Sequence, residues 1–136
     1  MSMYNSERKS AIVVEDEPLI SRVCRRVLMA EGFDVDLAAD GLIAKELIKT
    51  KFYDLCLSDI RTPEMNGVEL YRYLEKEYPG LASKVIFTTG DVLSGNIGAF
   101  LKEVQRPFLA KPFTPDELKK VVQESLNQAS TGILCL

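Results

Sequence analysis

The sequence contains no histidine. This absence excludes a serine–histidine dyad, a metal held by histidine, and a phosphohistidine formed on this chain. No apolar run approaches the roughly 20 residues that a bilayer-spanning helix needs. Residues 1–10 are polar and contain no apolar signal core. We therefore expect a cytoplasmic protein that makes no contact with a membrane.

Cysteine is scarce and is not spaced for metal binding or redox chemistry. The three cysteines, Cys24, Cys56 and Cys135, show neither a CxxC pair nor metal-ligand spacing. Cys24 lies on an apolar helical stripe and Cys56 lies inside an apolar strand. We expect both to be buried thiols that behave as small hydrophobic residues.

Neither sign of charge dominates the chain. The 17 basic and 20 acidic residues give a net charge of −3, whereas nucleic-acid binders usually carry a clustered basic face. We therefore expect no direct contact with nucleic acid. With 46% hydrophobic and 27% charged residues, the chain is typical of one globular domain. We place that domain at residues 9–128, with flexible tails at residues 1–8 and 129–136.

Short apolar runs alternate with segments of helical periodicity along the whole domain. The predicted strands are residues 11–14, 33–37, 54–58, 84–89 and 107–110. Units that alternate in this way predict an α/β fold, a doubly wound, five-stranded parallel sheet with helices on both faces. The first and third runs are apolar at successive positions, as central strands are. Pro107 suits an edge strand because proline cannot donate to a sheet.

The segments between the predicted strands carry apolar helical stripes. The inward residues are Ile20, Val23, Cys24, Val27 and Leu28 in the first helix and Ile43, Ala44, Leu47 and Ile48 in the second. Gly32 is expected to end the first helix, and Asp40 to cap the second. Pro79 and Gly80 are expected to stop the third helix. The last helix is predicted over residues 114–127.

Polar side chains follow four of the five predicted strands. Glu15 and Asp16 follow the first strand, Asp59 follows the third, Thr89 ends the fourth, and Lys111 follows the fifth. In an open parallel sheet, ligands bind outside the carboxyl ends of the strands. We therefore expect three carboxylates, a hydroxyl and an ammonium group to converge on one rim of the sheet.

This set of groups suits phosphoryl transfer to a carboxylate. Three carboxylates brought together repel one another unless a cation neutralises them, and Mg²⁺ takes a few carboxylates together with waters and phosphate oxygens. Asp59 could then act as the nucleophile toward phosphorus, while Lys111 and Thr89 stabilise the phosphoryl oxygens. Taken singly, acids at a strand end are more often helix caps. The five placements together favour the site.

Several segments resemble the receiver domain of bacterial two-component response regulators. They are residues 12–17 (IVVEDE), residues 54–60 (DLCLSDI) with Pro63 and Asn66-Gly67, residues 88–90 (TTG) and residues 111–113 (KPF). The resemblance covers about residues 9–126 in order. It implies a flavodoxin-like receiver fold with the strand order 2-1-3-4-5.

The resemblance also implies roles for the residues at the rim. Asp59 matches the phosphoacceptor. Glu15 and Asp16 match the acidic pair that holds Mg²⁺, together with Asp59 and the backbone carbonyl of Arg61. Glu15 stands where aspartate is common, so its longer arm could reach the ion through water. Lys111 matches the phosphate-binding lysine, whose bond to the following proline is expected to be cis.

Two further residues match the positions that transmit the signal in this family. Thr89 matches the switch hydroxyl and Phe108 the aromatic switch residue, although Phe108 also fits a buried strand position. Two glycines, Gly95 and Gly98, fall in the first turns of the fourth helix and should let its start fray, because each costs a helix about 1 kcal/mol relative to alanine. We expect phosphorylation to change the face formed by the fourth helix, the fifth strand and the fifth helix.

As a receiver, the chain would take a phosphoryl group from a sensor histidine kinase or a histidine phosphotransfer protein. It would not be an enzyme beyond its own phosphorylation and dephosphorylation, and the face described above could form a homodimer. The alternative is a Mg²⁺-dependent phosphatase of the haloacid dehalogenase type, which needs a second acid two residues after the nucleophile. Arg61 stands there instead. The chain could be a stand-alone regulator or part of a hybrid sensor histidine kinase.

Overall fold

A computed structural model describes residues 8–90 and 95–131 of the chain. The strands are β1 (Lys9–Val14), β2 (Phe33–Ala38), β3 (Leu55–Asp59), β4 (Val85–Thr89) and β5 (Phe108–Ala110). The main helices are α1 (Pro18–Ala30), α2 (Gly41–Thr50), α3 (Gly67–Glu77), α4 (Gly95–Val104) and α5 (Pro115–Thr131). Residues 91–94, just before α4, lie outside the described residues.

The strands form one parallel sheet in the order β2-β1-β3-β4-β5, which confirms the predicted fold and strand order. The register places Val14 of β1 beside Ser58 of β3, and Asp59 at the end of β3 beside Thr88 of β4. The carboxyl ends of the three central strands therefore meet at one rim.

Side chains of successive strand residues point to opposite faces of the sheet, and both faces are covered. Ala11 and Val13 of β1 pack on one face with residues of α1 and α5. Ile12 and Val14 pack on the other face with residues of α2, α3 and α4. Burial on both sides explains why the central strands read as continuous apolar runs.

Both predictions of a buried thiol are confirmed. Cys24 of α1 and Cys56 of β3 are buried, and burial raises the pKa of each thiol to about 12. Cys135 lies outside the described residues. Among those residues, no helix is both long and apolar enough to cross a membrane.

The predicted helix ends follow from capping residues. The Asp40 side chain accepts a hydrogen bond of 2.9 Å from the Ile43 amide at the start of α2. Gly32, just after α1, has a φ of 97°, a conformation that glycine adopts without a Cβ clash. Both predictions are confirmed.

Some details of the helices differ from the prediction. Pro79 and Gly80 follow the end of α3, but they also begin a short helix, Pro79–Ala82, because proline is favoured in the first turn. Ile43 and Val23, predicted to point inward, are exposed. Each lies one residue, about 100° of helical turn, from a buried neighbour, Ala44 or Cys24.

Helix α5 and the contacts of Arg8 extend slightly past the two ends predicted for the domain. Helix α5 continues to Thr131, beyond the predicted end at residue 128, since no glycine or proline interrupts the sequence before Gly132. At the other end, Arg8 donates hydrogen bonds to the Asp34 carboxylate at 2.9 Å and to the Phe33 carbonyl at 2.8 Å. Residues 1–7 and 132–136 of the predicted tails lie outside the described residues.

Candidate functional site

The acidic pair lies where β1 leaves the sheet. The Glu15 amide donates to the Ala38 carbonyl at 3.0 Å, which continues the pairing with β2 for one residue. The Glu15 side chain is buried, whereas Asp16 is exposed at the rim. The two neighbouring carboxylates therefore differ in their access to solvent.

Asp59 is the last residue of β3 and is buried beside this pair. The backbone of the next residue, Ile60, is held by two hydrogen bonds. Its amide donates to the Thr88 carbonyl at 3.0 Å, and its carbonyl accepts from the Gly67 amide at 2.8 Å. The Arg61 amide donates to Asp59 Oδ1 at 3.2 Å. The Asp59 carboxylate is thus held in a buried position at the rim.

Lys111 reaches the same place from β5. Its amide donates to the Thr89 carbonyl at 2.8 Å, and its peptide bond to Pro112 is cis, as predicted. The ammonium nitrogen lies 2.8 Å from Asp59 Oδ2 and 2.9 Å from Glu15 Oε1. One lysine therefore bridges carboxylates that follow two different strands.

Burial and charge shift the pKa values of two of these groups. Burial raises the pKa of Glu15, the hydrogen bond from Lys111 opposes this rise, and the neighbouring Asp59 charge adds to it. Burial acts to lower the pKa of Lys111, but hydrogen bonds to Asp59 and Glu15 outweigh it and the pKa is raised. Lys111 is therefore held in its charged form.

The donor set fits a hard divalent cation. Glu15, Asp16 and Asp59 each offer a carboxylate oxygen, and these oxygens all lie within 4.8 Å of one another. Lys111 pairs with two of these three carboxylates, those of Glu15 and Asp59. Oxygen ligands with excess negative charge suit Mg²⁺.

The two predicted switch residues differ in their exposure to solvent. Thr89 is fully buried at the end of β4, whereas the Phe108 side chain on β5 is 45% exposed. The alternative of a buried strand position for Phe108 is therefore wrong in this state.

A cavity of about 700 Å³ opens beside Asp16, between the loop after β3 and α4.

The pairing of Glu15 with Lys111 was not predicted from the sequence. The predicted site placed both residues at the rim but assigned them to different partners, the metal and the phosphate. The signal available in the sequence was the glutamate itself, whose additional methylene lengthens the arm toward Lys111.

The fold and the rim together define a class of protein, a doubly wound α/β domain with three carboxylates and a lysine at the carboxyl ends of its strands. The family model for the response regulator receiver domain matches residues 11–123. The chain therefore belongs to the response regulator receiver family. Its domain is a phosphoacceptor signalling switch of two-component systems, and the phosphatase alternative finds no support.

Relatives and solved structures agree with this assignment. The transcriptional regulatory protein DltR of Streptococcus agalactiae is 34% identical over 125 residues, which cover 88% of this chain and 52% of that protein. A CheY-like receiver domain protein from Methanospirillum hungatei is 28% identical, with a TM-score of 0.82, over 93% of this chain and 99% of that chain.

A second similar structure bears on the metal. The receiver domain of a sensor histidine kinase from Pseudomonas aeruginosa is 29% identical, with a TM-score of 0.77, over 88% of this chain and 98% of that chain. That structure has a magnesium ion coordinated in its active site cleft. This chain spans about half the length, or less, of the curated relatives it matches.

Proposed function

We propose that Asp59 accepts a phosphoryl group from a phosphohistidine of a sensor histidine kinase or a histidine phosphotransfer protein. The observation that carries this proposal is the position of the Asp59 carboxylate, 2.8 Å from the Lys111 ammonium nitrogen and within the acidic cluster. Because none of the 136 residues is a histidine, the phosphohistidine that donates the group lies outside this sequence.

The transfer exchanges one bond to phosphorus for another. A carboxylate oxygen of Asp59 attacks the phosphorus, the bond from phosphorus to the donor imidazole nitrogen breaks, and the imidazole leaves with the electron pair of that bond. The product is an acyl phosphate on Asp59. Lys111, already bonded to this carboxylate, can move its hydrogen bond to a phosphoryl oxygen and stabilise the added negative charge.

We propose that Asp16, Asp59 and the backbone carbonyl of Arg61 hold Mg²⁺ at the rim. The acidic cluster and the magnesium-bound relative described above support this assignment. When bound, Mg²⁺ neutralises charge on the phosphoryl oxygens. Glu15 contributes further negative charge beside the ion.

We further propose that the phosphorylated state is read at the face formed by α4, β5 and α5. Thr89 ends β4 beside the site, and the exposed Phe108 gives β5 an aromatic side chain that can change its packing. A partner, or a second copy of the chain, would bind this face. Hydrogen exchange across α4, with and without a beryllofluoride phosphate mimic, tests this, and unchanged protection would place the signal elsewhere.

Intact-mass measurement tests the phosphoacceptor directly. The protein is incubated with acetyl phosphate and Mg²⁺, and we expect one phosphoryl adduct on the wild-type chain. The matched variant Asp59→Asn, which keeps the shape of the side chain, should show none. EDTA should abolish the wild-type adduct because the acidic site then lacks its cation.

An adduct on Asp59→Asn at the wild-type yield would contradict the assignment of Asp59. An adduct that forms equally well in EDTA would contradict the metal requirement while leaving Asp59 as the acceptor.

A further inference from the structure

The loop after β3, residues 60–66, is closed at its base by main-chain contacts. The Ile60 carbonyl accepts the Gly67 amide at 2.8 Å, and a side chain at Gly67 would meet the backbone of Asp59. The chain therefore leaves β3 and returns to α3 at nearly the same point. Arg61, whose carbonyl is proposed to hold Mg²⁺, is the first residue of the loop beyond this base.

A threonine hydroxyl closes the tip of the same loop. Thr62 Oγ1 donates to the Met65 carbonyl at 3.0 Å. Thr62 is 7% exposed, whereas its neighbours Arg61 and Pro63 are exposed. Thr62 and Met65 both belong to the described residues, and no main-chain hydrogen bond joins them. The hydroxyl is therefore the group that holds this turn closed.

The turn contains a residue in an unfavourable backbone conformation. Glu64 has a φ of 64°, in the left-handed region that a residue with a Cβ disfavours. Pro63 followed by a positive φ is the combination of a type II turn, which usually has glycine or asparagine in the place of Glu64. Because glutamate does not favour this turn by itself, the turn needs the restraint that the Thr62 hydroxyl supplies.

The oxygen that accepts this hydrogen bond is shared with α2. The Met65 carbonyl also accepts the Gly41 amide at 3.0 Å, so both of its lone pairs are used. A side chain at Gly41 would collide with the same oxygen. The tip of the loop thus rests against the start of α2, and Thr62 is bonded to an oxygen that α2 holds in place.

We propose that Thr62 is a positioning residue for the Mg²⁺ site, and that its bond to the Met65 carbonyl keeps the Arg61 carbonyl in place at the rim. This inference rests on the proposed function, in which the Arg61 carbonyl binds the ion. Arg61 lies between Ile60, which is fixed at the base of the loop, and Thr62, which is fixed at its tip. Mg²⁺ demands nearly ideal octahedral geometry, and a ligand that is already in place loses less entropy on binding than one on an open loop.

The first test measures the closure of the loop without metal or phosphodonor. Thr62→Val keeps the shape of the side chain and removes the hydroxyl, whereas Thr62→Ser keeps the hydroxyl. Hydrogen exchange of the Gly41 amide reports on the Met65 carbonyl to which it is bonded. We expect this exchange to be at least about threefold faster in Thr62→Val, since the loop opens more often, and to stay near the wild-type rate in Thr62→Ser.

The second test measures the dissociation constant of Mg²⁺ by titrating MgCl₂ and following the backbone amide signals by NMR. Thr50→Val is the matched control, because Thr50 Oγ1 donates to the Leu47 carbonyl at 3.0 Å at the far end of α2. We expect Thr62→Val to bind Mg²⁺ about three- to tenfold more weakly than wild type, the loss typical of one hydrogen bond. Thr62→Ser and Thr50→Val should stay within about twofold of wild type.

The serine variant and the control separate positioning from general stability. Wild-type Mg²⁺ affinity in Thr62→Val would overturn the proposal. Equal losses in Thr62→Val and Thr62→Ser would also overturn it, because the hydroxyl would then not be the cause. A loss in Thr50→Val as large as that in Thr62→Val would assign the effect to a general weakening of the domain and would overturn it too.

Thr62→Ala replaces Thr62→Val in both tests if the valine variant does not fold, with the same expected results. No binding of Mg²⁺ to the wild-type protein would overturn the metal assignment and this inference together. The intact-mass comparison with Asp59→Asn uses none of these variants, so the assignment of the phosphoacceptor and the role of Thr62 can fail separately.

Discussion

The two edges of the sheet are built differently. Strand β2 has six residues and pairs with β1 along its whole length, from Lys9 beside Phe33 to Val14 beside Ala38. Strand β5 has only three residues, and it begins at Phe108, which is 45% exposed. Phe33, the first residue of β2, is fully buried.

Side chains also tie the two edges unequally to their surroundings. On β2, Asp36 accepts a hydrogen bond of 2.6 Å from the Tyr53 hydroxyl and pairs with Lys51 at 3.0 Å. Near β5, Arg106 donates to the Val85 carbonyl at 3.0 Å. The β2 edge thus has two carboxylate contacts that reach the loop before β3, in addition to its longer ladder.

This comparison shows how the site is divided. The acidic pair follows β1, next to the long edge, while Lys111 follows the short edge strand β5. Of the residues proposed to hold the metal, Asp16 follows β1, which pairs with the long edge strand, and Asp59 ends the central strand β3. Lys111, whose hydrogen bond is proposed to move to a phosphoryl oxygen, follows the short edge strand β5. This edge has fewer contacts than the β2 edge, so a change in its packing costs less free energy.

The largest predicted contrast compares the phenylalanines that begin the two edge strands. Phe33→Ala should lower the free energy of unfolding by about 3–5 kcal/mol, because it removes a fully buried ring. Phe108→Ala is the matched substitution on a half-exposed ring and should change it by about 0.5 kcal/mol or little more. Urea denaturation measures both values. Equal losses would mean that the two edges contribute alike to stability.

A medium effect is expected at the Tyr53 contact on the long edge. Tyr53→Phe removes the hydrogen bond to Asp36 and should cost about 1–2 kcal/mol at neutral pH, at the lower end because Asp36 is 35% exposed. The hydrogen bond from Tyr53 is the main reason that the pKa of Asp36 lies below 3.8; partial burial opposes this effect and Lys51 assists it.

The sign of the pH dependence follows from that lowered pKa. The carboxylate contributes stability above pH 3.8, its unfolded value, and loses this contribution as pH falls through the lower folded value. The difference between wild type and Tyr53→Phe should therefore shrink below pH 3.8. Urea denaturation from pH 7 down to pH 3 measures it, and a difference that grows in acid would exclude this role for the contact.

The smallest effect on global stability is expected where α4 is tied to α3. Arg72 of α3 pairs with Glu103 at 2.8 Å and with Glu75 at 2.9 Å, and its guanidinium lies 5.2 Å from the centre of the Phe100 ring. Because the arginine side chain is 41% exposed, Arg72→Met should cost less than about 1 kcal/mol. It should nevertheless speed hydrogen exchange of the α4 amides.

A matched substitution on the other edge serves as the control. Lys51→Met removes one exposed ion pair, where Arg72→Met removes two, and it likewise removes a cation beside an aromatic ring, that of Tyr53 at 5.6 Å. It should leave exchange in α4 unchanged. If Arg72→Met does not change α4 exchange either, the ion pairs of Arg72 do not restrain this helix.

The fold could be predicted largely from the sequence because its signals are local. Gly32 marks the end of α1 and Asp40 marks the start of α2. Both can be recognised from the sequence without knowledge of the tertiary contacts. The exposed side of α2 was less predictable, since Ile43 and Ala44 are both apolar and only packing against the sheet decides which one is buried. The short helix at Pro79–Ala82 was missed because proline and glycine also signal a stop.

The site could be predicted as a set of residues but not as a set of contacts. The positions of Glu15, Asp59 and Lys111 at the carboxyl ends of parallel strands bring them to one rim, independently of their side-chain conformations. Which carboxylate holds the lysine depends on side-chain length and on competing donors such as the Glu17 amide. These distances do not appear in the linear order of residues.

The close approach at Gly67 has a consequence for engineering. Any side chain there would place its Cβ 2.5 Å from the backbone oxygen of Asp59, and one at Gly41 would collide with the backbone oxygen of Met65. Gly80 and Gly95 have no atom within 4 Å of such a Cβ. A mutational library should therefore keep glycine at 41 and 67, while alanine at 80 and 95 offers a way to tune rigidity without reshaping the rim.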